Sequence, residues 1–126
     1  MNRHQLAKRI KRIMDQTIYE KGYITPVDVF LKLDKLSKQN YEAWRKKRIP
    51  YLERVMRGNL NQFSFIMKEI RLHARKRELK ASWTSYKSWG KGQKVDLTFS
   101  KSGNPILEKA YATHYIDSNR LKKKGD

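Results

Sequence analysis

"NLNQFSFIMKEIRLHARKREL", Asn59 to Leu79, is the stretch on which the fold turns. Leu60, Phe63, Met67, Ile70 and Ala74 recur at steps of three and four, which predicts a helix running to about Leu79. Asn59 or Asn61 is suited to cap its N-terminus, because a short side-chain oxygen can accept from an orphan backbone N–H. Phe65, Leu72 and Leu79 are spaced by sevens and fall roughly on the opposite side. Apolar stripes on two sides predict a long central helix on which the rest of the chain packs. Between the stripes, Asn61, Ser64, Lys68, Arg71 and Arg75 stand in one narrow, mostly basic row.

Upstream, residues 3–20 predict an amphipathic helix. Leu6, Ile10, Ile13 and Thr17 form its apolar stripe, with Met14 and Ile18 beside them, and Gly22 ends it. In "YITPVDVFLKLDKLS", Thr25 is an N-cap, Pro26 suits the first helical position, and Asp28 complements the positive helix end. Val27, Phe30, Leu31 and Leu33 are its inward residues. Ser37, with Asn40 in competition, caps a third short helix carrying Tyr41, Trp44, Arg45 and Arg48. Pro50 lacks a backbone donor, so it breaks this helix and starts another through Tyr51, Leu52, Val55 and Met56. Gly58-Asn59 ends that one.

Downstream the period changes. "SWTSYKSW" is rich in aromatics and hydroxyls, and "KVDLTFS" alternates strictly, with Val95, Leu97 and Phe99 on one face. With "GKGQ" as the turn, the two predict a β-hairpin. Pro105 then starts a short helix through Leu107, Ala110, Tyr111 and His114. The expected fold is α+β and mainly helical: four or five helices around the long central one, a C-terminal β-hairpin and a short terminal helix. Residues 1–116 are expected to form one helical domain with the hairpin at its C-terminal end, and 117–126 a basic, flexible tail.

The 126 residues contain no apolar run of about 18, so no membrane-spanning helix is expected. The first twenty residues lack a secretory apolar core, and there is no cysteine for a disulfide or thiolate metal site. Both fit a cytoplasmic protein. His4, His73 and His114 are too far apart in sequence to suggest a metal site, and Gly90-Lys91-Gly92 lacks the spacing of a P-loop, so no cofactor is expected.

The net charge is +18, and it is spread along the chain rather than held in a tail. Self-repulsion of this size destabilises a compact state, and a polyanion relieves it. Nucleic acid, DNA more than RNA, is the expected partner, bound largely by phosphate neutralisation.

Three constellations bear on how. "VDVFLKLDKLSKQNYEAWRKKRIPYLERVM", Val27 to Met56, resembles the DNA-binding part of repressor-type helix–turn–helix domains. A short helix there likewise carries a tryptophan and then a basic residue, and a proline begins the next helix. Lys35 and Leu36 stand where that family has a small residue and glycine. The resemblance implies Lys38, Gln39, Arg45 and Arg48 as DNA contacts, with Gln and Arg able to read base edges. Trp44 and Tyr41 are expected in the core.

The second constellation is the row Lys68, Arg71 and Arg75, with Arg77. Followed by a hairpin carrying Lys87, Lys91 and Lys94, it also permits a winged-helix reading. The third is the set Trp83, Tyr86 and Trp89 among those lysines. Exposed, they would suit stacking of single-stranded bases; at least half are expected instead to form core with Phe65 and Leu72.

Two other classes compete with DNA binding. An interaction module would use the stripe Phe65, Leu72 and Leu79, or the hairpin aromatics, for a protein partner or a second copy of the chain. A small metal-independent ribonuclease would draw on Glu108, His114 and Tyr115. Over most of the chain after Gly22, the runs "TPVDVFLKL", "NYEAWRKKRIPYLERV", "LKASWTSY", "WGKG" and "FSKSGNPILEKAYATHY" resemble a family of small uncharacterised bacterial proteins. That resemblance implies a bacterial setting and no particular mechanism.

Overall fold

The computed structural model describes residues 2–119, so the expected tail from residue 120 onward lies outside the described residues. Asp117, where that tail was expected to begin, still donates its backbone N–H to Gly22 O at 2.9 Å. The architecture is α+β. Helix α1 spans Arg3–Lys21, strand β1 Tyr23–Ile24, and helices α2 and α3 Pro26–Lys32 and Lys38–Arg45. A single 3₁₀ turn, Leu52–Val55, leads to the long helix α4, Leu60–Lys76. Strand β2, Lys80–Trp83, helix α5, Pro105–Tyr111, and strand β3, Thr113–Ile116, complete it.

The helix starts follow from their caps. Asn2 and Gln5 form a reciprocal capping box on α1. Thr25, Ser37 and Asn59 each accept from the backbone N–H three residues on, at 3.1, 3.0 and 2.9 Å. Helix ends follow a rule the sequence concealed. Asp34, Lys47 and Glu78 adopt the left-handed conformation, with φ of 59°, 64° and 56°, just beyond α2, α3 and α4. Glycine usually takes this position, and each substitute costs on the order of 1 kcal/mol. At Asp34 the turn is held by Lys35 N donating to Phe30 O and by Arg57 N donating to Lys35 O.

The core joins α1, α2 and α4 through Leu6, Ile10, Met14, Ile18, Val27, Phe30, Phe63, Ile66 and Ile70. Helix α4 packs on α1 but is buried mainly along one side. Of the second stripe, Phe65 and Leu79 are half-buried and Leu72 is 41% exposed. A chain of rings crosses the interior: Trp44 to Phe99 at 5.0 Å, Phe99 stacked on Tyr111 at 5.4 Å, and Phe30 against both Tyr111 and Phe63. Trp44 is fully buried, as expected, and its indole N–H donates to Thr98 O at 2.8 Å.

Three expected elements are placed differently. The helix after Pro50 is only a 3₁₀ turn. The amides of Leu52 and Glu53 donate to Thr98 O and Phe99 O, so long-range pairing takes the groups that a helix start would leave to solvent. The hairpin of Ser82–Trp89 with Lys94–Ser100 survives only as a bridge, Lys87 opposite Asp96, with Ser88 N donating to Val95 O and Leu97 N to Tyr86 O. Its inward alternation holds: Val95 and Leu97 are half-buried and Phe99 is buried. The regular sheet lies elsewhere, in antiparallel order β1-β3-β2. Strand β3 forms where the terminal helix was expected to continue to His114. Thr113, Tyr115 and Ile116 are β-branched or aromatic, and β1 and β2 supply partners on both sides.

One polar cluster fastens α1 to α4. Asp15 Oδ1 accepts from His73 Nε2 at 2.7 Å and from Arg77 Nη1 at 2.8 Å. Partial burial raises the Asp15 carboxyl, but the hydrogen bonds and charges of His73 and Arg77 outweigh it and hold it below its ordinary value. Its contribution to stability is therefore complete above the unfolded value, about pH 4, and is lost as pH falls through the lower folded value. Asp15→Asn should flatten the acid limb of a stability profile below about pH 4. At neutral pH it should cost under about 1 kcal/mol, because half of Asp15 is exposed. Denaturant midpoints measured from neutral to strongly acid pH would show it.

Candidate nucleic-acid interface

The sequence-predicted cations fall into two groups. The first lies on α4. Asn61, Ser64, Lys68, Arg71 and Arg75 are all exposed along one line, as their spacing requires. Lys68, Arg71 and Arg75 have no ion pair among the described residues. From Lys68 to Arg75 the helix rises about 10.5 Å.

The row borders a groove of about 470 Å³ between α4, α5 and the sheet. Lys109 adds a third cation to Arg71 and Arg75, Leu79 and Ala81 give it an apolar floor, and no acid lines it. Opposite pairs in an antiparallel ladder share a face, so Tyr115, Ala81, Trp83 and Thr113 all point to this side of the sheet. Trp83 is 55% exposed and Ile106 82%. Burial raises the Tyr115 hydroxyl, and the Arg71 charge opposes the shift. Neither Lys109 nor Trp83 was linked to this row by sequence. Lys109 reaches the groove from α5, and the β2–β3 register, which pairs residues thirty and more apart, sets Trp83 on the same face of the sheet.

The second group surrounds α3. Lys38 and Gln39 are exposed in its first turn, and Arg48 is exposed just beyond its end. Lys91 and Lys94 are exposed in the loop between Trp89 and Val95, where Lys94 Nζ donates to Gly90 O. That loop lies on α3, with Trp89 N donating to Arg45 O at 2.7 Å. The expected wing therefore accompanies α3 rather than the long basic helix.

Arg45, expected at a nucleic-acid contact, is largely occupied within the protein. Its Nη1 donates to Lys87 O at 2.9 Å, and its guanidinium lies 5.0 Å from the centroids of both Tyr86 and Trp89 and 5.9 Å from that of Tyr41. Cation–π contacts of this kind suit a planar, weakly hydrated cation. Lys87 in turn pairs with Asp96, whose carboxyl is lowered first by that hydrogen bond.

Beside Arg45 is a cleft of about 380 Å³, bounded by α2, α3, β3 and residues 84–87. Tyr86 is buried enough to push its hydroxyl up to about 12, and burial lowers the His114 imidazole, so both are neutral at physiological pH. Arg45 Nε and His114 Nε2 are buried without a hydrogen-bond partner. Such groups cost about 1–3 kcal/mol each, so the wall of this cleft is held against a penalty.

The residues expected to support catalysis do not converge. Glu108 accepts from Phe99 N, Ser100 N and Ser100 Oγ at 2.8, 2.7 and 2.6 Å, which commits it to a loop. His114 and Tyr115 are neighbours in β3 and point to opposite faces. His73 is held by Asp15. Among the described residues, no group of three or more acids and histidines could hold a metal, and no helix is long and apolar enough to cross a membrane. Along the expected interaction stripe, the Arg3 guanidinium lies 5.0 Å from the centroid of Phe65, Leu72 is exposed, and Leu79 lines the groove.

Compared with protein-family models, curated proteins and solved structures, the chain matches none of them.

Arg45→Lys should destabilise the protein by about 1–2 kcal/mol, because an ammonium cannot stack on three rings while reaching Lys87 O. A urea titration followed by tryptophan emission would measure it, and an unchanged midpoint would show that the cage contributes nothing.

Proposed function

We propose that this protein binds nucleic acid without cleaving it, and that the partner is duplex DNA in a bacterial cytoplasm. The observation that carries this reading is the exposed line Lys68, Arg71 and Arg75, without internal ion pairs among the described residues, on a chain of net charge +18. An α-helix fits the major groove, and the roughly 10.5 Å between Lys68 and Arg75 approaches its width of about 12 Å. Lysine and arginine at that separation can engage phosphates on both borders of the groove. Lys109, at the adjoining groove, extends the positive surface.

The helix–turn–helix segment supplies a second contact region. Lys38 and Gln39 lie at the exposed N-terminal turn of α3, with Lys91, Lys94 and Arg48 as accompanying phosphate ligands. Arg45 acts here as a positioning residue: it fixes residues 87–89, and with them the loop that carries Lys91 and Lys94.

Phosphate neutralisation makes affinity depend on salt. With about six phosphate contacts, the association constant should fall by about 10³-fold between roughly 50 and 200 mM salt. The combined Lys68→Ala, Arg71→Ala, Arg75→Ala variant should lower the slope of log affinity against log salt by about three and weaken binding to unrelated duplex sequences alike. Fluorescence anisotropy with a labelled duplex reads both effects. A flat salt response, or an unaltered slope in the folded triple variant, would remove α4 from the interface.

A further inference from the structure

We propose that the cleft between α2, α3 and β3 binds a single nucleotide, with its base in an aromatic recess and a preference for guanine. This site is separate from the α4 row and does not depend on the duplex reading.

The argument begins with Asp28. It lines the cleft half-buried, and its carboxylate has no hydrogen-bond or ion-pair partner among the described residues. Its backbone is already satisfied by Thr25. A carboxylate in such a recess can accept two parallel N–H bonds. Guanine alone among the common bases offers two adjacent N–H groups on its pairing edge, at N1 and the 2-amino group. Adenine and cytosine each offer one amino group, beside an acceptor that would face the second carboxylate oxygen.

The rest of the wall suits the same ligand. Tyr23 stacks with His114 at 6.4 Å, and Tyr86 meets the His114 ring edge-on at 5.9 Å. These rings give a planar heterocycle apolar surface beside a polar edge. Arg45 and Lys87 also line the cleft, and Lys87 is exposed, paired only with an exposed aspartate. A phosphate on the nucleotide can exchange with Asp96 for that ammonium at little cost. A volume of about 380 Å³ lies within the usual range for small-ligand sites. A simple anion site would not include the Asp28 carboxylate, and a simple cation site would not include Arg45 and Lys87.

The ligand chemistry, a guanine ring bearing a phosphate, has two sources: a free nucleotide, or an unpaired nucleotide of a strand. Calorimetric titration of the full chain with GMP, AMP and guanosine tests the shared chemistry. GMP should bind at least about tenfold more tightly than AMP. Asp28→Asn should remove that preference by weakening GMP, and it should not weaken AMP, because an amide can donate to the adenine acceptor that the carboxylate repels. Lys87→Ala should weaken GMP while leaving guanosine unaffected. The Lys68, Arg71, Arg75 triple variant should bind GMP normally, so loss of duplex binding with GMP binding intact refutes only the duplex reading. Stronger displacement of GMP by a duplex with an unpaired 3′ dG than by a blunt one supports the strand as source; equal displacement supports the free nucleotide. No GMP binding at millimolar concentration to protein with a native thermal transition would overturn the proposal. So would GMP affinity unchanged in folded Asp28→Asn.

Discussion

The fold hangs on how the short segment Thr98–Lys101 satisfies its backbone. Thr98 O receives both Leu52 N and the Trp44 indole, Phe99 O receives Glu53 N, and the amides of Phe99, Ser100 and Lys101 donate to the carboxylates of Glu108 and Glu53. Buried peptide groups cannot be left unpaired without a penalty comparable to a hydrogen bond. This segment meets that demand without a strand partner. Glu53 also accepts from the Tyr111 hydroxyl at 2.7 Å. Burial, followed by that glutamate, pushes the tyrosine hydroxyl far up and keeps it a donor. Phe99 is thereby fixed between Trp44 and Tyr111, which ties α3 and α5 into the ring cluster around Phe30. A carboxylate buried as Glu53 is depends on this full set of donors, because removing one partner leaves a desolvated charge.

The same constraint shows which parts of the fold were legible in sequence. Caps at Thr25, Ser37 and Asn59 act through neighbours three residues away, and helical stripes through neighbours three or four away, so α1, α2, α3 and α4 could be read from local spacing. The alternation of Val95, Leu97 and Phe99 was also legible as an inward face. That it forms no regular strand was not legible, because Glu108 and Glu53 take the amides of Phe99, Ser100 and Lys101 from any ladder. Likewise β3 reads locally as a helix end. It becomes a strand only because β1 and β2, some ninety and thirty residues earlier, flank it. Helix ends at Lys47 and Glu78 carry no glycine signal, since tertiary packing holds residues there that local preference disfavours.

The candidate surfaces divide in the same way. The α4 row was legible in full, since helical geometry alone places Lys68, Arg71 and Arg75 together. Arg45 was legible as a cation but not as a caged one: the rings of Tyr86 and Trp89 reach it from some forty residues downstream. Asp28 could be assigned to the positive end of α2 from sequence alone. Its second environment, facing His114 and Tyr86, exists only in the assembled fold.

Strand β3 links the two surfaces physically. Successive side chains on a strand point to opposite faces, so His114 lines the cleft while Tyr115 lines the cationic groove. Neither residue can change its face without its neighbour, because a slip of one position would exchange the two and move Ile116 as well. The register is pinned on both edges, by Ile24 opposite Tyr115 from β1 and by Ala81 opposite Tyr115 from β2. A three-stranded sheet of only ten residues thus fixes one wall of a polar recess and one wall of a basic groove. That economy explains why so short a sheet is paired on both sides of its central strand.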